Sequence, residues 1–121
     1  MLPSPNGSSI AYELGSVVAV VAGGEKWPDG SLRPAIGDLW GAGAVIAGLS
    51  VHGPRSPEAQ VAADAWATVS ERVADALHDC ASGRELIAAG YAGDVAVAAK
   101  VGRSESVPVL RDERFVDAAR T

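Results

Sequence analysis

Residues 16–49, SVVAVVAGGEKWPDGSLRPAIGDLWGAGAVIAGL, decide how the rest of the chain is read. Val17, Val18, Val20 and Val21 form an apolar run without polar alternation, which suits a strand over 16–22 covered on both faces. A helix is the competing reading for so short a run, and β-branched enrichment followed by Gly23-Gly24 favours strand. The loop 23–35 then gathers Glu25, Lys26, Trp27, Asp29 and Arg33, with Trp27-Pro28-Asp29-Gly30 as a turn signal. Pro34 suits the first turn of a helix running to residue 49. Asp38 is that helix's one charge, so the helix is expected to be buried. Gly41, Gly43 and Gly48 weaken it by about 1 kcal/mol each relative to Ala, which is reasonable only where another backbone comes close. A strand emptying into a polar glycine loop and then a helix is how α/β proteins usually present a site.

The surrounding chain fits one α/β domain over residues 1–121. Residues 1–15 read as a loop, with an Asn6-Gly7-Ser8-Ser9 turn, followed by a short helix through Ile10, Ala11, Tyr12 and Leu14 that Gly15 ends. Such a turn can hold a phosphate or carboxylate, and is also ordinary cap chemistry. Over 56–80, Ser56 as N-cap, Pro57 and Glu58 open a helix. Ala62, Ala65, Trp66, Val69, Val73, Ala76, Leu77 and Cys80 form its core stripe. Ser82-Gly83-Arg84-Glu85 matches a capping box for a helix through residue 89, ended by Gly90. Arg84 and Glu85 read as surface or cap residues. Asp94 is placed to cap a further turn over 95–100, and Val107-Pro108-Val109-Leu110 reads as a strand turned back by 111–114 into Phe115-Val116.

Composition excludes several classes. A net charge of −5 argues against sequence-independent nucleic-acid binding, which needs Lys and Arg against phosphates. The single Cys80 cannot form an internal disulfide, and its place on the core stripe favours packing over nucleophilic chemistry. No apolar run approaches the ~20 residues of a membrane span, and the N-terminus lacks a signal-peptide pattern, so a cytoplasmic protein without a membrane partner is expected. Asp38, one turn into its helix, can complement the helix dipole, pair with Arg33 or bind a cation. His52 and His78 have no partner at metal-ligand spacing.

Several segments together resemble one known family. They are residues 2–8 (LPSPNGS), 24–35 (GEKWPDGSLRPA), 38–44 (DLWGAGA), 82–86 (SGREL), Asp94-Val95 and 107–110 (VPVL). In this order and spacing they look like the 2-phosphosulfolactate phosphatases. The resemblance implies a partial three-layer-like α/β unit of few strands and packed small-residue helices. It also implies a Mg²⁺-dependent phosphoric monoester hydrolase that converts 2-phosphosulfolactate to sulfolactate and phosphate, a step toward coenzyme M. Carried over by position, Ser4, Pro5, Asn6, Gly7 and Ser8 look like the phosphate-side loop. Arg33 would grip phosphate oxygens in bidentate fashion, Asp38 would face the metal or orient Arg33, and Glu25 would be a second metal carboxylate. Family members are roughly twice as long, and the resemblance matches their C-terminal half, with a segment between Gly15 and Ser16 absent and Gly37 where Glu is common. A truncated member is therefore expected, and with it the alternative of a non-catalytic remnant or small anionic-ligand module. A small phosphorylated acid is the expected ligand. Uncovered sheet edges and helix faces would favour a homo-oligomer.

Overall fold

The computed structural model describes residues 9–14, 17–49 and 53–120. The chain runs β1 (Ser9–Leu14), β2 (Val17–Ala22), β3 (Glu25–Lys26), β4 (Leu32–Arg33), α1 (Ile36–Gly48), α2 (Pro57–Val69), α3 (Val73–Asp79), α4 (Ala81–Ala88), α5 (Ala92–Ala98), β5 (Pro108–Arg111) and β6 (Arg114–Asp117). A short 3₁₀ turn, Ala118–Arg120, follows. This is the expected mixed α/β architecture with few strands. Its strands pair as three antiparallel hairpins, β1–β2, β3–β4 and β5–β6.

Two readings of the first hairpin need correction. The segment expected to be helical over 10–14 is strand β1, in register with β2 from Ser9 opposite Ala22 to Leu14 opposite Val17. A valine-rich strand must satisfy its backbone N–H and C=O groups, and the neighbouring segment supplies them. Strand β2 itself forms as expected, but it is not covered on both faces: Val17 is 59% exposed and Val21 47%. The phosphate-side residues Ser4, Asn6, Gly7 and Ser8 lie outside the described residues.

The core is built on helices α1 and α2, whose buried residues are small. Ala42, Val45, Ala62, Ala63 and Val69 are buried here, joined by Ala76 from α3 and Val95 from α5. Each buried valine contributes about 1.5–3 kcal/mol. Small side chains let the two helices approach backbone to backbone. A Cβ placed on Gly43 would fall on the Ala62 carbonyl oxygen and lie 2.8 Å from Trp66 Cβ. The close approach foreseen for the α1 glycines is thus met at Gly43.

Helix starts and stops follow local chemistry in most places. Ser56 Oγ accepts a hydrogen bond from the Ala59 N–H at 3.2 Å, with Pro57 as the first helical residue. Gly90, at φ +93°, ends α4, and the Tyr91 N–H donates back to the Leu86 carbonyl at 2.8 Å. In the last hairpin Asp112 and Glu113 both take positive φ, 49° and 63°, between the paired Arg111 and Arg114. That is the two-residue turn whose twist matches antiparallel strands.

The long helix expected over 56–80 is two helices. It breaks at residues 70–72, where Arg72 leaves helical geometry at φ −138°, ψ 38°. No Gly or Pro marks the break. The expected capping box at Ser82 is also absent: Cys80, extended at φ −70°, ψ 162°, stands at the start of α4, and Ser82 lies inside the helix. Gly83 explains the geometry, because a Cβ there would collide with the Leu77 carbonyl. Helix α4 folds back against the end of α3 at this point.

Candidate functional site

The loop after β2 closes on the first turn of α1 through one short bond. Gly24 donates its N–H to Asp38 Oδ2 at 2.6 Å. Gly24 can do this because it holds φ +73°, and a side chain there would also meet Leu32 Cδ1 at 2.8 Å. Asp38 is the buried acidic residue of the described chain, 5% exposed, and it sits in the first turn of α1 where the helix dipole favours a negative charge.

Asp38 and its neighbours form one wall of a pocket of about 270 Å³. That wall is Gly24, Glu25, Ala35, Gly37 and Asp38; the other is Leu77, Cys80, Ser82, Gly83 and Leu86 with Asp94, Val95 and Ala98 of α5. Two regions some fifty residues apart in sequence therefore meet across it. Three carboxylates, Glu25, Asp38 and Asp94, line it together with the Ser82 hydroxyl group. Cys80 is half-buried there, its Sγ directed at the Leu77 carbonyl at 3.2 Å, as the packing role anticipated. A more open depression of about 460 Å³ beside Glu71, Arg72, Asp75, Lys100 and Arg103 shares none of the glycine-loop residues.

Arg33 is not among the lining residues but adjoins the pocket through Glu25, which it faces across the β3–β4 hairpin. The hairpin is closed by the Trp27–Ser31 turn, in which the Asp29 carboxylate accepts from the Ser31 N–H at 2.9 Å and from its hydroxyl at 2.6 Å. Those Ser31 bonds, the hydroxyl first, hold the Asp29 carboxyl below its usual range. Arg33 stacks over the Trp27 ring at 4.7 Å and lies 3.7 Å from the Glu25 carboxylate. Its two terminal nitrogens donate to the two oxygens of Glu85 at 2.9 and 2.8 Å. This fork-to-fork pair keeps the Glu85 carboxyl below its usual range and the Arg33 guanidinium above its own.

Of the residues expected to act together, Glu25 and Asp38 line one pocket, and Arg33 touches it through Glu25. Sequence reasoning left Glu85 as a surface residue and gave Asp94 and Ser82 only capping roles. Their signal lay in the 82–86 and 94–95 segments of the family-like pattern, which the fold brings against the glycine loop. Among the described residues, no three His, Cys, Asp or Glu side chains converge on a point where a metal would be held. Among them, too, no helix is long and apolar enough to cross a membrane.

Comparison with known proteins adds one match. The family model described as 2-phosphosulpholactate phosphatase matches residues 9–113, a span holding every pocket-lining residue. No curated protein and no solved structure matches the chain.

Proposed function

Since the chain belongs to the 2-phosphosulpholactate phosphatase family, we propose that it hydrolyses the phosphate monoester of a small phosphorylated acid of the 2-phosphosulfolactate type, releasing phosphate and the corresponding hydroxy acid. The observation that carries this reading is the pocket. It joins the Gly24-Glu25 loop and the Gly37-Asp38 turn to the Ser82-Gly83 and Asp94-Val95 segments. Arg33, beside Glu25, supplies the planar guanidinium fork that suits two oxygens of a phosphoryl group. Asp38, held by Gly24, presents a carboxylate in fixed orientation at the head of α1. Ser82 and Asp94 offer polar contacts to the remainder of a small acid.

Magnesium fits the chemistry of the donors. Glu25 and Asp38, which line the pocket together, are hard oxygen ligands, and Mg²⁺ typically takes one or two carboxylates while waters and substrate phosphate complete its shell. Bound there, the ion would neutralise charge on the phosphoryl oxygens. Glu25 and Asp38 are the residues that would hold it.

The assay is phosphate release from 2-phosphosulfolactate and from an aryl phosphate, with and without Mg²⁺. The reading requires release well above that of Arg33→Ala and Asp38→Ala; release no greater than theirs would sink it. A second reading, an anionic-ligand module without turnover, is favoured by one observation: Gly37 lines the pocket at the position where the family commonly carries Glu, so that wall has one carboxylate fewer. Saturable phosphate binding without hydrolysis would mark that outcome.

A further inference from the structure

The carboxylate of Glu85 meets Arg33 as a phosphate would, with two oxygens on two terminal nitrogens at 2.8 and 2.9 Å. The partners are held very differently. The Arg33 side chain is 17% exposed with Glu85 in place, and two further contacts hold it besides Glu85: the Trp27 ring at 4.7 Å and the Glu25 carboxylate at 3.7 Å. Glu85 is 59% exposed on a helix surface and can turn into water by a side-chain rotation. Glu25, which pairs with Arg33, and Leu86, which follows Glu85 in the chain, both line the pocket, so the ion pair adjoins it.

We propose that Glu85 is a built-in competitor for the anion site on Arg33, so that the site admits tetrahedral dianions and turns away carboxylates. A ligand must displace a carboxylate already in bidentate contact. A monoanionic carboxylate offers no more charge than the group it replaces, whereas a phosphate-like dianion offers twice the charge and a third oxygen. Glu85 thereby determines specificity by acting through Arg33. The apparent affinity of any anion is reduced by the fraction of molecules in which Arg33 is free. The inference rests on the proposed function only in taking Arg33 as the anion-binding group; it does not require hydrolysis.

The test is calorimetric titration of the whole chain with sulfate and, separately, with acetate. Removing the competing charge by Glu85→Gln is expected to tighten sulfate binding by about tenfold or more and to make acetate binding measurable. Arg33→Gln is expected to bind neither. A folded Glu85→Gln protein that binds sulfate no better than the unaltered chain overturns the proposal, because a residue that merely positions Arg33 would weaken binding when changed. Should that variant fail to fold, the unaltered chain still decides. The Arg33 Nε–H and Trp27 indole signals in NMR spectra should shift with sulfate and not with acetate, and equal shifts with both overturn the proposal. Tighter sulfate binding in a chain that releases no phosphate would leave this inference standing while the hydrolytic reading fails.

Discussion

Replacing Gly43 by Ala tests the packing that supports the site. In an isolated helix the change is favourable by about 1 kcal/mol, since Ala is the better helix former. Here the new methyl group would land on the Ala62 carbonyl oxygen and crowd Trp66 Cβ at 2.8 Å. A backbone carbonyl inside α2 cannot turn aside without breaking its own helical bond, so α1 and α2 must move apart. Overpacking of this kind costs roughly 1–3 kcal/mol, more against backbone. The net expectation is destabilisation of about 2 kcal/mol, a large part of a stability of about 5–15 kcal/mol. For a chain of this size that lowers Tm by roughly 6–12 °C. Gly93→Ala is the matched control, because Gly93 lies in α5 with nothing within 4 Å of its added Cβ. It should stabilise by about 0.5–1 kcal/mol. Thermal denaturation followed by circular dichroism reads both. A Gly43→Ala protein as stable as the unaltered chain would refute the close α1–α2 approach, and a destabilised Gly93→Ala protein would refute the open surface of α5.

Further outcomes follow from the same contacts. Asp38→Ala removes the acceptor of the Gly24 N–H and should cost about 1–3 kcal/mol as well as phosphate release, whereas Asp38→Asn, which keeps an oxygen for Gly24, should recover most of the stability and none of the activity; denaturant unfolding beside the phosphate assay separates the two. Chelating divalent ions should reduce phosphate release to the level of Asp38→Ala, and added Mg²⁺ should restore it. Asp29, Glu85 and Asp117 all hold depressed carboxyl values, through the Ser31 hydroxyl, the Arg33 fork and the Val107 N–H respectively. Groups depressed in the folded state add stability that is fully present above their unfolded values, about 3.9–4.3, and lost as pH falls through the lower folded ones. A Tm-versus-pH series should therefore be flat near neutrality and decline in acid, and Glu85→Gln should make that decline shallower.

Local chemistry made much of the fold legible. The Trp27–Gly30 turn, the Ser56–Pro57 helix start, the Gly90 stop and the return at residues 111–114 depend on neighbours in sequence, and each stands where its residues point. The failures lie where the residues themselves carry no marker for the contact that decides the structure. Residues 10–14 carry helix-compatible side chains, yet pairing with β2 draws them into a strand. The break at Arg72 has no local marker, and the start of α4 shifts to Cys80 because that helix packs against the Leu77 carbonyl. The site divided in the same way. Glu25, Arg33 and Asp38 lie within one stretch and read together, while Glu85, 52 positions from Arg33, reads as a surface charge until the fold is known.

The hairpins differ in what their strands offer a neighbouring molecule. β3 and β4 contain Glu25, Lys26 and Arg33; β5 and β6 contain Pro108, Arg111, Arg114 and Asp117. Charges and prolines of this kind deter strand-to-strand pairing between chains. Strand β2, VVAVVA, has neither, and among the described residues its one strand partner is β1. Heating or mild denaturant that loosens this hairpin would therefore release the stretch best suited to seeding intermolecular sheet. In concentrated solution, insoluble aggregate is expected to begin at β2, and a lysine at Val17 or Val21, both already exposed, is the change that should delay it.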